Sequence, residues 1–158
     1  VGTRGLQTRK KERGKIMTMT GLRTFDVTLH KTNEWLSDIM QEIHTEDRQE
    51  AYHALRATLH ALRDRLPIEI AAHLSAQLPL LVRGIFFENW TPTGKPDRLR
   101  REEQFLQTIE RNLGRTLSVD IRMATMSVLK VMKKHLSEGE LDNIKDSLPE
   151  DFSGLFAE

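Results

Sequence analysis

The chain has 158 residues, no cysteine, a formal charge of +1 and a mean hydropathy of −0.49. That length suits one well-cored domain and is short for two independent ones. Without cysteine there are no disulfides and no thiolate chemistry, and no apolar run approaches the roughly 18–20 residues of a membrane span.

Residues 1–16 hold six Lys or Arg against Glu12, a net of +5, which leaves −4 for the rest. They lack apolar periodicity, so residues 1–20 are expected to be a disordered basic tail, an over-extended start or a tag before Met17 or Met19. Residues 21–158 are expected to form a single helical domain. The first helix is predicted from 26 or 28 to 43, with Leu29, Leu36, Met40 and Ile43 on one face. Thr45 is predicted to cap the second, from 46 to 65, whose Ala51, Leu55, Leu59, Leu62 and Leu66 make the clearest apolar stripe. Pro67 starts a third helix through 76, and Pro79 a fourth over 80–87. Pro92, Gly94 and Pro96 mark a linker over 89–97. A fifth helix follows from about 98 to 113 and closes at Gly114; Ser118 is predicted to cap the sixth, to 135. Ser137 and Glu140 form a capping box for the seventh, and Pro149 opens the eighth, to 156. No period-two run predicts a strand, so the class is all-α.

The chain also matches itself. Residues 35–88 laid over 105–158, a constant offset of 70, coincide at ten positions without a gap, where chance composition gives roughly three. The identities include Ile39/Ile109, Leu59/Leu129, Pro79/Pro149 and Phe86/Phe156. This predicts two pseudo-symmetric four-helix repeats, about 25–90 and 98–158, with Phe86 and Phe156 both in the core.

Reactive constellations are weak. His53 and His60 lie seven apart beside Arg56 and Arg63, which would suit a metal or an anion, but no HExxH motif accompanies them. A solvated polar face explains them more simply, and His73 reads as a packed or half-buried residue. Serines fall at caps, and paired carboxylates fall in first helical turns. No catalytic residue, cofactor or metal ligand is nominated, which leaves an enzyme as a minor reading. The segment 78–90, LPLLVRGIFFENW, is different. Arg83 and Phe87 become Ser153 and Ala157 in the second half, and Trp90 lies beyond the aligned repeat. The shared core therefore need not explain Arg83, Phe87 and Trp90, and their types suit a partner-binding site. The competing reading packs Phe87 and Trp90 into the seam between the halves. The acidic balance of residues 17–158 disfavours nucleic acid.

The runs GLRTFDVTLHKTNEWLSDI, RQEAYHALRATLHALRDRLP and AAHLSAQLPLLVRGIFFENW, with LSEGELDNIKDSLPEDFSGLF near the end, resemble the bacterial domain-of-unknown-function family 2267. The resemblance covers about residues 21–156 and is most specific over 52–90. It implies a small helical bacterial protein and brings no site residues with it. The leading expectation is a non-catalytic module of the bacterial cytoplasm that binds an unknown protein partner or regulates one. A homo-oligomer is possible. The first alternative is a small-molecule sensor with a pocket at the seam between repeats.

Overall fold

The structure is a computed structural model that describes residues 19–157; the basic residues 1–16 lie outside the described residues. Seven α-helices and one 3-10 helix follow in order, with no strand among the described residues. The helices are α1 Arg23–Glu42, α2 Arg48–Arg65, α3 Ile68–Gln77, α4 Leu80–Phe87, α5 Glu102–Leu113, α6 Ile121–His135 and α7 Glu138–Asp146. The 3-10 helix spans Glu150–Phe156. No helix among the described residues is long and apolar enough to cross a membrane.

Local chemistry explains where the boundaries depart from the sequence reading. Asp26 does not open α1: its carboxylate accepts from the Thr20 backbone N–H at 2.9 Å and hydroxyl at 2.8 Å, so the helix starts earlier, at Arg23. Thr45 does not cap α2. Its hydroxyl accepts from the Asp47 N–H and donates to Glu50, while Asp47 caps the helix through the Gln49 N–H at 2.9 Å. Likewise Asp120, not Ser118, caps α6, because both Ser118 donors are held by the Glu50 carboxylate. Burial raises the pKa of Glu50, but the bonds from Ser118 and Thr45 outweigh it and hold the carboxyl below its ordinary value. Residues 98–101 stay outside α5, where Gln104 Oε1 accepts from the backbone of Arg100 and Arg101. Gly114, at φ +65°, closes α5 in the left-handed conformation as expected. Ser137 caps α7 through the Glu140 N–H, but its own N–H donates to Gln77 Oε1, so only half of the capping box forms.

α2 is the axis of the molecule. It touches α1, α3, α4, α5 and α6. From Ala57 to Arg63 every side chain is buried, and Ala54, Ala57 and Ala61 let neighbouring backbones come close. Contacts cross the middle of the chain at α1–α6, α2–α5, α2–α6 and α3–α7. One apolar cluster accordingly runs from Trp35 to Leu155. Leu59 and Leu129 are both buried, at 0% and 2% exposure.

Phe156 departs from expectation. In α4 the inward pair is Val82 and Phe86, one α-turn apart. In the 3-10 helix three residues make a turn, so Phe152 is followed inward by Leu155. Phe156 is rotated to a half-buried position, under the Lys145 ammonium at 5.5 Å.

Candidate functional site

The three candidate residues are all half-buried, but they do not form one cluster. Arg83 reaches back along α4 to the corner it shares with α3. Its Nε donates to the Ser75 carbonyl at 2.8 Å, and Nη2 donates to those of Ala76 and Leu78 at 3.3 and 3.2 Å. These carbonyls lie at the end of α3, and the Ser75 oxygen also accepts from the Leu78 N–H at 3.2 Å, so Arg83 adds to the closure of that helix as a cap. The second half needs no such arginine at Ser153, because the Ser147 N–H closes α7 onto the carbonyls of Asn143 and Ile144. Phe87 and Trp90 form a separate aromatic run. Phe87 meets Phe86 edge-on at 5.0 Å, and Trp90 lies against Phe87 at 5.2 Å. The Trp90 indole Nε1 is buried and finds no acceptor among the described residues.

On the polar side of α2 two residues are buried rather than solvated, while His53 and Arg56 are half-buried. His60 and Arg63 are 6% and 5% exposed. Here the sequence reading is corrected. His60 Nε2 pairs with the Ile85 carbonyl at 2.7 Å, and Arg63 Nη1 donates to those of Phe86 and Glu88 at 2.9 and 2.8 Å. Arg56 holds the Glu88 carboxylate at 2.7 Å and keeps it below its ordinary pKa. Burial lowers the pKa of His60, with Arg63 and Arg56 adding to the shift. These groups brace the end of α4. The same end of α2 fixes the linker: the Asp97 N–H donates to the Asp64 carbonyl at 2.8 Å, and Arg65 Nε donates to that of Leu99 at 2.6 Å. Burial raises the pKa of Asp97. His73, expected to be packed, is exposed.

Sequence reasoning missed a concavity beside α1. A groove of about 670 Å³ runs beside α1, from Arg23 to Trp35, and is closed by the α3–α4 corner, Arg83 and His135. The Leu81 N–H donates to Thr28 Oγ1 at 2.8 Å and pins the start of α4 to α1, which sets the groove's width. Its floor is Trp35, 2% exposed and stacked on the His135 ring at 4.9 Å. A second concavity, about 470 Å³, continues past Glu34 and His135 to Asp38 and Lys134. There Asp38 accepts from Lys134 at 3.0 Å and pairs with His135 at 2.7 Å. Burial raises the pKa of Asp38, but these two partners outweigh it and lower it.

The surface around the groove is apolar to an unusual degree. Leu22 just before α1, Phe25 and Val27 on its first turns, and Leu80 and Leu81 on the first turn of α4 are each 40–50% exposed. Single exposed apolar residues are ordinary; five at two helix starts tied together by a hydrogen bond are not. The signal was available as the pattern of α1, where Val27 repeats no core spacing. It had no meaning until Leu80 was placed in the same groove.

Among the described residues no three His, Asp or Glu side chains converge as a metal set would require. No curated protein matches the chain. The sequence model of the family described as uncharacterized conserved protein (DUF2267) matches residues 32–155, which is most of the chain, and the chain belongs to that family.

Proposed function

We propose that this chain is a non-catalytic interaction module that docks a protein partner at the α1–α4 corner, across the groove. The observation that carries the proposal is the exposed apolar border of the groove. Val27 and Leu80 both line it, at 40% and 48% exposure, where a chain with no partner gains by presenting polar side chains. Arg83 belongs to this surface only through its position in the groove wall. Phe87 and Trp90 support it indirectly, by fixing the end of α4.

The proposal includes the two-repeat architecture. α1 corresponds to α5, α2 to α6, α3 to α7 and α4 to the 3-10 helix. Under that exchange α1–α2 becomes α5–α6, α2–α4 becomes α6 with the 3-10 helix, and α1–α6 becomes α2–α5, while α2–α6 and α3–α7 map onto themselves; these contacts are present, whereas α1–α4, α2–α3 and α3–α4 have no counterpart of similar extent. A pseudo-twofold axis through α2–α6 and α3–α7 accounts for that reciprocity. The correspondence also supplies an internal control. Leu80 falls on the exposed Glu150, so the second copy carries a carboxylate where the first exposes apolar carbon; Val27 precedes the aligned positions. The copies share their core and diverge at the groove, as expected if one copy keeps a docking surface.

The test pairs two measurements on one variant, Val27→Ser/Leu80→Ser. Both side chains are exposed, so the melting temperature should stay within a few degrees of the parent. Recovery of the strongest native partner should fall at least tenfold. Unchanged recovery with an intact fold would refute the proposal. A second reading, a sensor for a small molecule, is favoured by one observation: the groove joins α1 to His135 across the two halves and has the volume of a ligand site. It predicts that a small-molecule extract, not a protein, raises the melting temperature of the parent but not of the variant.

A further inference from the structure

We infer that the segment docking in the groove is an acidic amphipathic helix of about three turns; this rests on the interaction reading above and names the partner's chemistry. Charge is the first argument. Arg23, Lys31, Arg83 and His135 line the groove against one carboxylate, Glu34. Among the described residues Arg23 and Lys31 have no hydrogen-bond or ion-pair partner. Glu34 contacts the His30 ring at 2.9 Å and is outnumbered by Arg23 and Lys31, and Asp38 beyond it is taken by Lys134 and His135. The uncompensated charge over the apolar walls is therefore positive. A docking segment with carboxylates flanking its apolar side would meet Arg23 and Lys31, and a basic one would be repelled.

Shape is the second argument. The wall from Arg23 to Glu34 runs along eleven helical steps, about 17 Å at 1.5 Å per residue. That length accommodates a three-turn helix with apolar anchors at i, i+3 or i+4 and i+7, which is how helical grooves take helical ligands. Strand addition has no template, because no strand exists among the described residues. An anionic membrane would also pair cations with apolar side chains, but a flat bilayer cannot follow Val27 and Leu80 down towards Trp35, which lies at the floor of a concavity.

The test uses two helix-stapled, fluorescein-labelled 14-residue peptides with identical leucine anchors, one with glutamate and one with lysine at the remaining positions. Anisotropy titrations of the full chain in low salt should give at least tenfold tighter binding of the glutamate peptide. That binding should loosen as salt rises and screens the charges. The variant Arg23→Glu/Lys31→Glu, altered at two exposed positions, should keep its melting temperature and reverse the preference. Equal binding of both peptides, no binding of either at millimolar concentration, or a preference that survives the charge reversal would overturn the inference. So would phosphatidylserine vesicles that sediment the chain without competition from the glutamate peptide. The inference falls alone if these tests fail while Val27→Ser/Leu80→Ser still loses its native partner. If that variant keeps its partner, the interaction reading falls with it.

Discussion

Arg83→Ala separates the two roles that its position suggests. The guanidinium donates three hydrogen bonds to the carbonyls of Ser75, Ala76 and Leu78, one short at 2.8 Å and two long at 3.2–3.3 Å. Charged donors to backbone acceptors contribute about 1.5–3 kcal/mol when buried and well aligned. Arg83 is half-exposed and two of its bonds are long, so water can replace part of what is lost. The net cost should be about 1–2 kcal/mol, or a fall of roughly 3–8 °C in melting temperature for a chain of this size. Arg83→Lys should recover little of this, because a single ammonium cannot fork across three carbonyls. Ser153→Ala, at the corresponding exposed position, should change stability by less than about 0.5 kcal/mol. The assay is calorimetric melting of the three variants beside the parent. An Arg83→Ala melt that coincides with the parent's would show that α3 does not depend on this cap, and the assignment would fail.

Three other perturbations follow from the packing. Arg63→Ala leaves the Phe86 and Glu88 carbonyls without their donor and Asp64 with only the more distant Lys95 ammonium, at 4.0 Å, so urea unfolding should show a loss of about 3 kcal/mol. Leu59→Ala and Leu129→Ala should each cost about 2–5 kcal/mol in the same assay, since both side chains are buried; a cost near zero for either would contradict its core position. His60 is held below its usual pKa of 6.5, so its contribution is present above pH 6.5 and is lost as pH falls towards its folded value, when the unfolded chain takes up the proton first. Stability should therefore decline from pH 7 to pH 5. His60→Gln, which retains an N–H for Ile85, should flatten that decline while leaving the carboxylate-driven loss at lower pH.

How much was legible in the sequence depended on whether a signal was local or spatial. Apolar periodicity located every helix among the described residues, and Pro79 fixed the start of α4 because an imino acid suits the first turn and not the interior of a helix. Caps were less legible. Thr45 and Ser118 have the right chemistry, but Asp47 and Asp120 stand two residues later with the same chemistry, and Glu50 drew its neighbour Thr45 into one network with Ser118, 68 residues further on than Glu50. Tertiary competition of that kind leaves no trace in spacing. His60 and Arg63 were misread for the same reason: a polar stripe opposite leucines looks solvated unless one knows that α4 ends above it. The groove was the least visible feature. Its walls come from residues 23–35, 76–83 and 135, and only the fold brings them together.

The claim that the α1–α4 corner is the working surface is tested most directly by site-specific cross-linking in the cell. A photoreactive side chain at Leu80 should capture one protein in high yield. The same group at Ile68, equally exposed at 42% but on α3 and outside the groove lining, should capture none above background. Equal labelling from the two positions, or capture confined to Ile68, would contradict the account.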